Sequence, residues 1–256
     1  VNIKDLSIAA LIIFYCFASN SQAMGLRRTD PTSPSSPPVS TPISTPTPVA
    51  VATPIPTAAP VASATPAPVS GATLTPTCTS SDPAHLCIGL KLVSYSQNGS
   101  PSLTEAQAIA LVNGINQVWN QCNIAFQLEK YVSVDPTTLN LEYNTDWKAN
   151  AGNVRAAFNE NNSFLVVAVG SLSGATIAVT EMPGGGPYGT LVEQEFATNP
   201  LTVGHELGHY QGLYHVSDTT NLMDPYIGPN TSGLSTSQCA IAHTTDAAYW
   251  QAMMRY

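Results

Sequence analysis

Residues 31–77 hold 13 of the chain's 21 prolines and 17 serines and threonines, with no charged residue among them. Each proline removes a backbone donor. At one proline every three or four residues, neither a helix nor a sheet ladder can propagate. Polyproline-II and coil remain, and such a stretch spans about 140 Å at about 3.1 Å per residue. Residues 24–77 therefore read as a disordered Pro/Thr/Ser-rich linker, of a composition that suits O-glycosylated stalks. Packed structure is confined to residues 78–256, which are numerous enough to bury a full core.

Ahead of the linker, Leu6 to Phe17 is an almost unbroken apolar run after a short polar start containing Lys4. It is too short for a stable membrane-spanning helix, which needs roughly 20 residues. It has the length of a signal-peptide core, and Ser21-Gln22-Ala23 fits the small-x-small cleavage pattern. Residues 1–23 are thus expected to be an export signal, and the protein to be secreted, periplasmic or displayed at the cell surface. The alternative is lipidation at Cys16, but Phe14 and Tyr15 stand where such sites need small residues.

Only 9% of the chain is charged, against roughly 25% in an average soluble domain. The linker dilutes this figure, yet residues 78–256 contain just 5 Lys+Arg and 14 Asp+Glu. A lightly charged, acidic surface fits an exported protein and excludes an electrostatic nucleic-acid binder. Beyond the leader the cysteines are Cys78, Cys87, Cys122 and Cys239, an even set that suits two disulfides in an oxidising compartment. Of the three connectivities, Cys78–Cys87 as a local loop and Cys122–Cys239 as a long-range clamp is the favoured one.

Alternation marks strands at Ile88–Ser96 and from Ile124, and the continuous apolar run Phe164–Val169 marks a buried central strand. Further strands are expected at Ala175–Thr180 and Thr190–Glu195. Ser102 and Glu105 read as a capping box opening a helix through Ile109, Val112, Ile115 and Trp119. A short helix is expected over Val154–Glu160. Asn199 with Pro200 opens another helix, and Ser235 with Gln238 a last one. The mixture suggests a mainly parallel sheet with packed helices.

The chemistry lies in residues 205–215, His-Glu-Leu-Gly-His-Tyr-Gln-Gly-Leu-Tyr-His. On a helix, His205 and His209 are one turn apart on one face, so both imidazoles reach a single ion. Gly212 can take a positive φ, end the helix and return His215 to the same ion from another direction. Three nitrogens leave a fourth position for water, as a catalytic zinc site requires. Glu206, one residue after the first ligand, can lie over the ion and act as general base.

This string resembles the extended zinc motif of the metzincin metallopeptidases, His-Glu-x-x-His-x-x-Gly-x-x-His. That family also has a methionine-containing turn beneath the metal, and Asn221-Leu222-Met223-Asp224-Pro225 matches it. Met223 follows His215 by eight residues and Pro225 follows Met223 by two, a spacing similar to the matrixin branch. The resemblance is specific over residues 204–225 and looser elsewhere. It implies an α+β fold with a twisted mixed sheet of about five strands, an antiparallel edge strand and three main helices. It also implies a zinc endopeptidase that hydrolyses peptide bonds with metal-activated water, Glu206 as base, and His205, His209 and His215 as ligands. Met223 is then structural support. Protein or peptide substrates would add to the edge strand at Ala175, Thr176, Ile177 and Ala178, and Tyr226 would help to wall the specificity pocket.

Three departures bear on the transfer. Pro225 stands where some metzincins carry a tyrosine that approaches zinc, so Tyr226 does not inherit that role. Residues 24–77 contain no cysteine of the kind that keeps matrixins latent. His85 and His243 are too few and too far apart for a second, structural zinc. Nothing supports a Ca2+ site either, because Asp218, Asn221 and Asp224 read as solvated turn residues.

Overall fold

The computed structural model describes residues 23–27, 74, 76–78 and 84–256. The expected leader before Ala23, with Cys16, and most of the expected linker lie outside these residues. The chain divides into one unit of residues 1–28 with 74–256 and another of residues 29–73. Every element below belongs to the first unit.

Seven strands form a mixed sheet with four α-helices packed on it: β1 (Ala23–Arg27), β2 (Leu86–Gln97), β3 (Ser100–Pro101), β4 (Ile124–Val134), β5 (Phe164–Val169), β6 (Thr176–Glu181) and β7 (Thr190–Glu193). The helices are α1 (Glu105–Trp119), α2 (Trp147–Phe158), α3 (Pro200–Tyr210) and α4 (Thr236–Tyr249). β2 lies between β4 and β5, parallel to both, and β7 continues the parallel run beside β5. β6 then pairs antiparallel with β7. These four strands and the reversed β6 are the expected architecture, with more added at its margins. At the end of β2 the chain turns through Asn98-Gly99, both at positive φ, into the two-residue β3. Paired Asn-Gly at positive φ is the turn whose twist suits a hairpin.

β5 shows why the sheet is central. Phe164, Val166 and Ala168 face one apolar core, and Leu165, Val167 and Val169 face a second. Successive side chains leave opposite faces of a strand, so a strand covered on both sides reads as an unbroken apolar run. The first core receives Ala108, Leu111, Val112, Ile115 and Trp119 of α1 and Val203, Leu207 and Tyr210 of α3. The second receives Ala151, Val154 and Phe158 of α2.

Four expectations are corrected. The capping box of α1 is Thr104 with Gln107, not Ser102 with Glu105. Pairing of β3 with β2 holds residues 100–102 in the hairpin, where the Ser102 N–H donates to the Tyr95 carbonyl at 2.7 Å, so the helix begins later. α2 starts at Trp147 instead of Val154, because Asp146 caps it by accepting from the Lys148 N–H. Residues 24–27, read as the start of the linker, form β1. Consequently β6 is not the outermost strand: β1 pairs antiparallel along it, from Ala23 opposite Glu181 to Arg27 opposite Thr176.

Both disulfides have the favoured pairing, Cys78–Cys87 and Cys122–Cys239. The second ties the turn after α1 to α4. α4 has the capping box expected of Ser235 and Gln238.

Candidate metal centre and cleft

α3 carries the centre, and its sequence sets its ends. Asn199 caps it by accepting from the Leu201 N–H, and Pro200 occupies the first helical position, where no donor is needed. At the other end Gly212 has φ +79°. The Leu213 N–H reaches the Gly208 carbonyl at 2.9 Å and the Gly212 N–H reaches that of His209 at 3.0 Å, the paired bonds of a Schellman stop. The helix is fixed from several sides. Trp119 Nε1 donates to the Gly204 carbonyl at 3.1 Å, and Trp250 Nε1 donates to that of Tyr210 at 2.8 Å. The Tyr210 ring stacks on Phe164 with centroids 4.3 Å apart.

This frame brings His205, His209 and His215 together. Their Nε2 atoms are 3.1 Å apart for His205 and His209, and 3.2 Å apart for each of the other two pairs. The opposite nitrogens of the two helical histidines are engaged with carbonyls: His205 Nδ1 with Leu222 at 2.6 Å and His209 Nδ1 with Leu213 at 2.7 Å. A carbonyl only accepts, so these Nδ1 atoms carry the protons and the Nε2 lone pairs point inward. Burial holds the imidazoles in the neutral, ligating form, driving His205 well below its ordinary value, His209 down to about 3 and His215 also down. Three inward lone pairs so close together repel unless a cation lies among them. A tetrahedral zinc with bonds of about 2.0–2.1 Å would set nitrogens about 3.3–3.4 Å apart, close to the spacing observed. The donor set therefore fits such an ion, and these are the only three His, Cys, Asp or Glu side chains gathered for one among the described residues.

Glu206 is fully buried beside the triad. Its Oε2 accepts from the Thr180 hydroxyl at 2.5 Å, and Thr180 Oγ1 lies 2.7 Å from that of Thr190. Its Oε1 has no partner at hydrogen-bond distance. Burial pushes the carboxyl up to about 8, against the Thr180 bond, the nearby Leu26 backbone N–H and the charge of Arg155. Arg155 is itself buried, paired with Glu181 at 3.1 Å and donating through Nε to the Gly189 carbonyl at 2.8 Å.

Met223 is fully buried under α3, and a Cβ on Gly208 would lie 2.5 Å from its sulfur. Glycine at 208 thus admits the methionine turn, whose Leu222 carbonyl orients His205. Asn221 and Asp224 close that turn by accepting from the Met223 and Tyr226 N–H groups, both near 2.9 Å and 2.8 Å respectively. Asp218 accepts from the Thr220 N–H at 2.9 Å. Of the residues expected to meet substrate, Ile177 and Ala178 are buried, Thr176 is half-buried, Ala175 is exposed, and Tyr226 is half exposed after the methionine turn.

Sequence reasoning missed Thr180 and Thr190. The signal was present for Thr180: with a period of two, it shares a face with Ala178, which packs into the same core as Leu207 of α3. The Leu213 and Leu222 carbonyls carried no such signal, because any residue supplies one.

No protein-family model and no curated protein matches this sequence. Among solved structures the chain is similar to mirolysin in complex with compound 9, with 12% identity, TM-score 0.53, and coverage of 66% of this chain and 95% of that one. A second mirolysin structure, the mature Tannerella forsythia protein in complex with a cleaved peptide, aligns at 12% identity and TM-score 0.48 over 65% of this chain and 91% of that one. Metalloproteinase-II from Bacteroides fragilis aligns at 14% identity and TM-score 0.45 over 66% of this chain, and the match spans 55% of that chain. What this chain shares with mirolysin is a metzincin-like fold, a twisted mixed sheet with packed helices.

Proposed function

We propose that the protein is an exported zinc endopeptidase of metzincin type, with a methionine turn spaced as in the matrixin branch. One observation carries the reading: three inward-facing Nε2 atoms within 3.2 Å of one another, with the buried carboxylate of Glu206 beside them. His205, His209 and His215 would hold the ion. When bound, zinc supplies positive charge that acidifies water and polarises a peptide carbonyl.

The protein's own groups supply the remainder. Thr180 holds Oε2, which leaves Oε1 of Glu206 to take a proton from the attacking water. The same oxygen then passes that proton to the departing amide nitrogen, so the carboxylate is restored each turnover. The Leu222 and Leu213 carbonyls fix the tautomers and orientations of His205 and His209, as outer partners of metal ligands do. The apolar leader before Ala23 and the paired cysteines support export.

The test is metal analysis of the purified protein together with casein cleavage, with and without a chelator. The reading requires one zinc per chain and chelator-sensitive cleavage. It also requires Glu206→Gln to retain zinc while losing activity by about 10³-fold or more. Zinc-independent cleavage, or full activity in Glu206→Gln, would overturn it.

A further inference from the structure

The edge of β6 that a peptide substrate would need is already paired. β1 lies along it, antiparallel, with Met24 opposite Thr180, Gly25 opposite Val179 and Leu26 opposite Ala178. We propose that Met24–Arg27 is a built-in occupant of the cleft, bound as a peptide substrate would be, and that it must leave before another polypeptide can enter. This rests on the peptidase reading of the site.

Three features show a fitted strand. Leu26 is fully buried and belongs to the core that contains Ala178, Leu207 and Met223. Gly25 passes so close to β6 that a Cβ there would lie 2.4 Å from the Ala178 carbonyl oxygen, so only glycine fits. Met24 pairs opposite Thr180, whose hydroxyl donates to Glu206, so the strand runs past the candidate base.

Ala23-Met24-Gly25-Leu26-Arg27 has no histidine, cysteine, aspartate or glutamate. It is held through backbone pairing, a buried leucine and the close approach at Gly25, without a ligand of its own for the metal. Residues 29–73 connect it covalently to the rest of the unit, which makes its pairing with β6 an intramolecular event. A strand that binds only weakly by itself is then enough to compete with dilute substrate.

The experiment uses the full chain with Leu26→Asp and, separately, Gly25→Val. The first places a charge in an apolar site, and the second adds a side chain where none fits. Hydrogen exchange is followed at the Thr176–Glu181 amides that face β1, alongside cleavage of casein by the zinc-loaded protein. Faster exchange confined to these amides is expected, with cleavage rising about tenfold or more over the unsubstituted chain. A synthetic Ala23–Arg27 peptide added in excess should reverse both effects. If either variant loses its overall fold by circular dichroism, the other decides. Unchanged exchange and unchanged cleavage would overturn the proposal. Altered exchange with no cleavage by any form would leave the strand in place and overturn the peptidase reading instead.

Discussion

The hydroxyl of Thr180, on β6, donates to Oε2 of Glu206, on α3, at 2.5 Å. The bond crosses from sheet to helix and holds a fully buried carboxylate whose other oxygen is free of partners. A hydrogen bond to a charged group contributes about 1.5–3 kcal/mol. Thr180→Val should therefore lower kcat by about 10- to 100-fold, with KM and bound zinc nearly unchanged. Thr180→Ser should restore most of the rate, since it keeps the donor. Steady-state kinetics with metal analysis checks this, and equal rates in Val and Thr forms would show that the hydroxyl does not position the base.

Gly212 is a second point of leverage. Its φ of +79° is one that L side chains rarely adopt, and an added Cβ would lie 2.7 Å from Thr245 Oγ1. Gly212→Ala should destabilise the protein by about 1–3 kcal/mol. It should also weaken metal binding disproportionately, because the same turn directs His215 and carries the Leu213 carbonyl that orients His209. Chemical denaturation and competitive zinc titration measure the two effects separately.

The two disulfides should differ in worth. Cys122–Cys239 closes a separation of 117 residues and Cys78–Cys87 one of 9. By loop-closure entropy alone these contribute about 5 and about 2.5 kcal/mol. Replacing the Cys122–Cys239 pair with alanine should accordingly lower the denaturation midpoint further than replacing the Cys78–Cys87 pair. The reverse order would mean that native-state contacts, not chain entropy, dominate.

Acid stability should depend on Glu129. Burial pushes its carboxyl up, but hydrogen bonds from Arg255, Ser163 and Gln127 and the Arg255 charge together bring it below its ordinary value of 4.5. A carboxylate depressed in the folded state binds fewer protons there than in the unfolded state. Its contribution is complete above that ordinary value and is lost as pH falls through the lower folded value. Glu129→Gln should flatten the decline in stability below about pH 4.5 while lowering stability at neutral pH. Denaturant titrations at several pH values check both limbs.

Much of the site was legible because it is local. The spacing of His205 and His209 on one helix turn, Glu206 beside the first, and Gly212 at the stop are consequences of helical geometry within eleven residues. So are the Asn199-Pro200 start of α3 and the Ser235–Gln238 box of α4. The unbroken Phe164–Val169 run announced a strand covered on both faces. The start of α1 was misplaced because two polar residues near its end, Ser102 and Thr104, are both adequate caps, and the pairing of β3 with β2 selected the second.

The sequence by itself determined the histidine triad, the glutamate beside it, the methionine turn and the order of the main strands and helices, since each depends on residues close in the chain. Only the tertiary structure decided that Thr180 holds Glu206, that the Leu222 carbonyl orients His205, and that Met24–Arg27 occupies the edge of β6. Those pairings join distant segments through backbone groups and hydroxyls common to many residues. Five residues bordering a proline-rich stretch have no local periodicity to show that they complete a sheet. The register becomes specific only when β6 offers an open edge, Ala178 a close backbone, and the core a place for one leucine.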